Sequence, residues 1–158
     1  MKMEAMSKQG GQGQFNELRV KRGRKPEGHR NKKDGKRYWL TPPELMKALK
    51  KEFKFTVDAC PYPRPKGFCG LKAKWGKSTY VNPPFFGPTA WVRKAIEEHK
   101  NGKTVVMVFP TDKWIHYFLK AGAELRSLGD VRWHSIENGK PGPGIGRYTM
   151  AFILRGKR

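Results

Sequence analysis

The most specific chemistry in this chain lies in four consecutive residues, Asn82-Pro83-Pro84-Phe85, which follow the apolar stretch Thr79 to Val81. A carboxamide, a proline-fixed carbonyl and an aromatic face are the groups needed to hold a flat heterocycle that carries an exocyclic amine. The side-chain oxygen of Asn82 can accept one amine hydrogen and the Pro83 carbonyl the other. Consecutive prolines restrict the loop, so that this carbonyl has little freedom to turn away. Phe85 offers a stacking face, a contact worth about 1–3 kcal/mol per base in proteins that bind single strands. With both hydrogens fixed the nitrogen lone pair loses some conjugation with the ring and can be aimed at an electrophilic carbon, so that catalysis would be chiefly orientation. The four letters alone are equally compatible with a rigid exit from a strand. The strand ahead of them and the charge of the chain favour the chemical reading.

Such a loop has to be placed by a sheet. The continuous apolar, β-branched run Thr104 to Phe109, stopped by Pro110, reads as a central strand buried on both faces. Phe55 to Ala59 reads as a short strand with Asp58 at its C-terminal end, and Thr79 to Val81 as a second strand that delivers Asn82 to the carboxyl edge, where open α/β sheets bind ligands. Thr41-Pro42-Pro43-Glu44 has the spacing of a capping box, with Thr41 accepting from the amide three positions on and Glu44 reaching back. A helix is expected from about Pro42 to Phe53, with Leu45, Met46, Leu49 and Phe53 on its apolar face. Further helices are expected over 91–100, ended by Asn101-Gly102, and over 113–121, closed by Gly122. Strands are expected near 124–127, 131–134 and 148–154. Strand and helix alternate in the first half and strands crowd the end. That order predicts an α/β fold, a mostly parallel sheet with an antiparallel C-terminal strand pair.

The chain has 158 residues, 34 Lys and Arg, 13 Asp and Glu, and a formal charge of +21. That is room for one compact domain and a tail. An excess this large points to a polyanionic partner, nucleic acid before an anionic membrane, because no lipid-seeking amphipathic helix stands out. Residues 1–36 are rich in Gly, Gln, Lys and Arg without an apolar period and read as a basic flexible N-terminal arm, leaving 37–158 as the catalytic domain. The arm is either an electrostatic tether or a disordered end without a specific role. Cys60 and Cys69 match no common zinc spacing, so two free thiols and no metal are expected. The longest apolar run is too short to span a membrane, and the polar start lacks a secretory segment, which implies a cytoplasmic protein.

From about Tyr38 to Leu154 the chain resembles the phage-type DNA N6-adenine methyltransferases, the phage Dam family. The resemblance rests on Trp39-Leu40-Thr41-Pro42, on Val57-Asp58-Ala59-Cys60, and on Gly70-Leu71 and Trp75 ahead of Asn82-Pro83-Pro84-Phe85. Trp91-Val92 with Lys94-Ala95, Phe109-Pro110 and Val131-Arg132-Trp133 follow in order. It implies a Rossmann-like class I methyltransferase that uses S-adenosylmethionine on adenine N6 in DNA. Asn82, Pro83, Pro84 and Phe85 would then form the catalytic loop, and Thr41, Pro42 and Asp58 would line the donor pocket. Asp58 could accept from the donor's amino group or a hydroxyl, or cap a neighbouring loop; Trp39 beside them could pack, or stack on donor or base. Two positions depart from the pattern. No Gly-x-Gly-x-x-Gly follows Asp58, where Cys60-Pro61-Tyr62-Pro63 stands instead, and Cys69 replaces the Asp that many relatives carry before Gly-Leu. An RNA methyltransferase acting on an adenine or guanine amine, and an inactive nucleic-acid-binding relative, are the alternatives.

Arg93 and Lys94, one turn past the motif, and Lys140 and Arg147, which flank a Gly- and Pro-rich connection expected to be mobile, are candidate phosphate contacts; their other reading is solvated charge. His99, His116 and His134 lack ligand spacing and are read as surface or packing residues. The oligomeric state, monomer or weak dimer, is open.

Overall fold

The structure, a computed structural model, describes residues 39–84 and 87–157. The basic arm expected over 1–36 and the ring of Phe85 lie outside the described residues. The elements in chain order are β1 (Trp39–Leu40), α1 (Pro43–Phe53), β2 (Val57–Asp58), β3 (Ser78–Val81), α2 (Thr89–Lys100), β4 (Thr104–Pro110), α3 (Ile115–Lys120), β5 (Glu124–Gly129), β6 (His134–Ser135) and β7 (Thr149–Leu154). Among the described residues no helix is long and apolar enough to cross a membrane.

Five strands form one mixed sheet in the order β2-β3-β4-β7-β5. β2, β3 and β4 are parallel, while β7 runs antiparallel to both β4 and β5. β4 is therefore the middle strand that its apolar run predicts, and Val105 to Val108 are fully buried. Successive side chains of a strand point to opposite faces, and β4 divides its own accordingly. Val105, Met107 and Phe109 join Trp75, Trp91, Val92 and Phe118 on the side covered by α2 and α3. Val106 and Val108 join Leu49, Phe53, Tyr80 and Trp133 on the side covered by α1.

Three expectations are corrected. The capping box does not form: Pro42 occupies the N-cap of α1 without a side-chain cap bond. The Thr41 hydroxyl instead meets the Tyr80 hydroxyl at 2.5 Å, because a buried phenol in the adjacent strand needs a hydrogen-bond partner more than an exposed helix start does. The strand expected over 131–134 is reduced to β6, which leaves the main sheet and pairs with β1 through Trp39–Ser135 and Leu40–His134. The C-terminal antiparallel pair is accordingly β5 with β7, and β7 is inserted between β4 and β5. The connection expected to be mobile is tied down at two residues, by the bridge of Pro141 to His134 and by the amide of Gly142 on the Trp133 carbonyl at 2.7 Å. A Cβ on Gly142 would lie 2.4 Å from the Trp39 ring, so only glycine lets this segment lie against that indole.

Candidate active site

The ends of β2 and β3, together with β1, enclose a pocket of about 230 Å³ at the carboxyl edge of the sheet. Asp58 ends β2, Asn82-Pro83-Pro84 leaves β3, and Trp39 and Thr41 close the pocket from β1 and the turn into α1. These six expected site residues share one cavity. Pro42 is not on its wall and starts α1 instead, and neither are Arg93, Lys94, Lys140 and Arg147.

The Asn82 amide has a defined orientation. Its Nδ2 donates to the Trp39 carbonyl at 2.9 Å and lies 3.4 Å from Thr41 Oγ1. A carbonyl only accepts, so the nitrogen must face Trp39 and Oδ1 must face the other way. Among the described residues no donor meets Oδ1 or the Pro83 carbonyl. The Asn82 oxygen is thus left as an acceptor by a strut from β1. Tyr80, one position before Val81 in β3, supports this strut from below through its bond to Thr41. At 1 % exposure it reads in sequence as an ordinary core aromatic. Sequence reasoning missed its place on the pocket wall, and the one available signal was a hydroxyl among apolar neighbours. Burial raises the pKa of its phenol, which keeps it a neutral hydroxyl.

Asp58 accepts from the Cys60 amide at 2.9 Å, so the loop-capping role weighed for it is real. Its carboxyl still meets solvent across the pocket mouth. The surrounding walls nevertheless withdraw enough hydration to raise its pKa above the ordinary value, against the lowering effects of the Cys60 amide and Lys50. Cys60, also on the wall, has its thiol pushed up by burial and by the charge of Asp58 and is inert at neutral pH. Cys69 lies outside the pocket and is exposed. Its backbone carbonyl accepts from the Lys72 amide at 2.9 Å and the Ala73 amide at 2.8 Å, and the neighbouring Lys72 and Leu71 amides lower the pKa of its thiol.

Gly70 explains why the pocket floor is where it is. A Cβ there would lie 1.8 Å from the Ala59 carbonyl oxygen and 2.8 Å from the Trp91 ring. The turn that follows is held by Trp75 Nε1 on the Gly70 carbonyl at 2.8 Å. Gly70, Trp75 and Trp91 are therefore the backing on which the segment 58–60 rests. The basic candidates have other engagements. Lys94 pairs with Glu98 at 3.2 Å and lies 5.2 Å from the centre of the Trp75 ring, Arg147 approaches Asp112 at 3.6 Å, and Arg93 and Lys140 are exposed.

Among the described residues no group of three or more His, Cys, Asp or Glu side chains is arranged to hold a metal ion. Fold and site together define an α/β protein with a ligand pocket at the carboxyl edge of its sheet, lined by an acid and an Asn-Pro-Pro loop. A family model for DNA N-6-adenine-methyltransferase (Dam) matches residues 28–153. The chain belongs to that family. It is 28% identical, over 148 residues, to the DNA N-6-adenine-methyltransferase of Escherichia phage T1, with 74% of this chain and 62% of the relative covered. The chain therefore spans less than two thirds of the length of that relative. No solved structure matches it.

Proposed function

We propose that the protein methylates the N6 amino group of adenine in DNA, with S-adenosylmethionine as donor, on a Rossmann-like class I methyltransferase fold. The observation that carries this reading is the fixed Asn82 amide on the pocket wall, whose nitrogen is bound to the Trp39 carbonyl and whose oxygen is thereby left to accept. A base flipped into the pocket offers N6 with two hydrogens. Asn82 Oδ1 takes one and the Pro83 carbonyl takes the other, which fixes the amine and lets the nitrogen become tetrahedral as its lone pair leaves conjugation with the ring. Phe85, the next residue of the motif, is assigned the stacking contact with the base.

The donor fits the residues present. Asp58 keeps a carboxylate open to the pocket at a raised pKa, an arrangement that favours the arrival of a hydroxyl or ammonium donor. Thr41 and Trp39 line the same cavity with a hydroxyl and an aromatic face. S-adenosylmethionine, when bound, supplies an activated methyl group on a sulfonium. The remaining contribution of the chain is position: the attacked nitrogen sheds its proton only as positive charge develops on it, so no strong base is required beforehand. Arg93, Lys94, Lys140 and Arg147 are assigned to the phosphate backbone, and residues 1–36 to a tether for nucleic acid.

Incubation with isotopically labelled donor and mixed DNA and RNA, followed by digestion to nucleosides, tests the reading. Label in N6-methyladenine from DNA is expected; label only in RNA nucleosides, or none, rejects it. Asn82→Ala should remove turnover while calorimetric donor binding stays within about threefold of the parent.

A further inference from the structure

At 69 % exposure, Tyr148 is the most exposed large hydrophobic side chain among the described residues. Its backbone is nevertheless clamped, because its carbonyl accepts from both the amide of Thr111, at 2.9 Å, and the Thr111 hydroxyl, at 2.8 Å. A rigid backbone that holds an aromatic ring out in water gains nothing for the isolated fold.

The position of this ring in the sheet is informative. β7 runs opposite to β4, and Pro110 at the end of β4 pairs with Thr149 at the start of β7. Tyr148 therefore stands at the same carboxyl edge as Asn82, two strands across and, by the register, three residues further along, a separation of about 14 Å at the usual strand spacing and rise. That is about four steps of a nucleic-acid strand stacked at 3.4 Å. Cations accompany the ring. Arg147 precedes it and, among the described residues, approaches Asp112 at 3.6 Å, too far for a hydrogen bond. Lys113 stands beside Asp112 with its ammonium 4.9 Å from the centre of the Trp114 ring.

We infer that Tyr148 is a stacking platform for a nucleobase close to the target adenine, with Arg147 released from Asp112 to hold the adjoining phosphate. The ring is sequence-tolerant, since every base has a π face. This inference rests on the methyltransferase reading above, and its test separates the two.

DNA carrying 2-aminopurine about four nucleotides from the target adenine, on either side, reports stacking by fluorescence quenching. The full chain should quench it, Tyr148→Phe and Tyr148→Trp should retain the quench, and Tyr148→Ala should lose it while binding DNA about tenfold more weakly. The melting temperature of Tyr148→Ala should match the parent, because the ring is exposed. Equal quenching and equal affinity in Tyr148→Ala, or no DNA binding by the parent chain, would overturn the inference. Methyl transfer is assayed in parallel. A parent chain that transfers no methyl but shows Tyr148-dependent quenching defeats the enzymatic reading alone, and an active chain with Tyr148-independent quenching defeats the platform alone.

Discussion

Replacing Gly70 by alanine should damage the donor pocket from behind. The new methyl would sit 1.8 Å from the Ala59 carbonyl oxygen, against the 3.4 Å at which ordinary contact begins, and 2.8 Å from the Trp91 ring. Neither neighbour can retreat easily. The Ala59 amide is bonded to the Tyr80 carbonyl at 2.9 Å, and the Gly70 carbonyl holds Trp75 Nε1 at 2.8 Å. Overpacking against mobile side chains costs about 1–3 kcal/mol, and with a backbone carbonyl as the obstacle the upper end applies. For a domain of this size 1 kcal/mol shifts the melting temperature by about 4 °C, so a fall of roughly 12 °C is expected in a calorimetric scan. Because Ala59 joins Asp58 to Cys60, both on the pocket wall, the affinity for S-adenosylmethionine should fall with it. Gly67→Ala is the control. There nothing lies within 4 Å but φ is +75°, so a strain of about 1–2 kcal/mol and unchanged donor affinity are expected. A Gly70→Ala melting point within about 2 °C of the parent would refute the argument that this glycine sets the pocket floor.

Asp58→Asn should separate stability from binding. A carboxyl whose folded pKa is raised adds stability below its unfolded value of 3.8 and loses it as pH rises through the folded pKa. At pH 7 the amide should therefore melt at the same temperature or higher, while calorimetry records donor binding at least about tenfold weaker. Glu98 has the opposite sign. Burial raises its pKa, but the hydrogen bonds and charges of Lys103 and Lys94 prevail and leave it below the ordinary 4.5. Its contribution is complete above pH 4.5 and is lost as pH falls through the lowered value. Glu98→Gln should flatten that acid limb in a pH series of urea melts and cost about 1 kcal/mol at pH 7.

The parts of the fold legible in sequence are those with a local cause. β4 announces itself by an unbroken apolar run, α2 by its spacing and by Gly102, where φ is +82°, and Asn82 by standing where a strand gives way to prolines. What escaped has a distant cause. Thr41 carries every local mark of a helix cap, yet its hydroxyl is taken by Tyr80, 39 residues on. The two residues of β1 have no period to detect and become a strand only because β6 lies alongside. The place of β7 between β4 and β5 follows from packing of the whole sheet, which residue alternation does not encode. The candidate site was legible to the same extent: Asp58 and the Asn-Pro-Pro loop from their strand ends, and Tyr80 not at all.

The hold of Trp39 on Asn82 also bears on the order of events during synthesis. The strand that offers that carbonyl emerges early, but its pairing partners, His134 and Ser135, are translated almost a hundred residues later. A nascent chain halted before His134 already carries the whole Asn-Pro-Pro sequence without the neighbour that anchors β1. Competence for chemistry should therefore arrive abruptly, once His134 and Ser135 have been translated and can pair with Leu40 and Trp39.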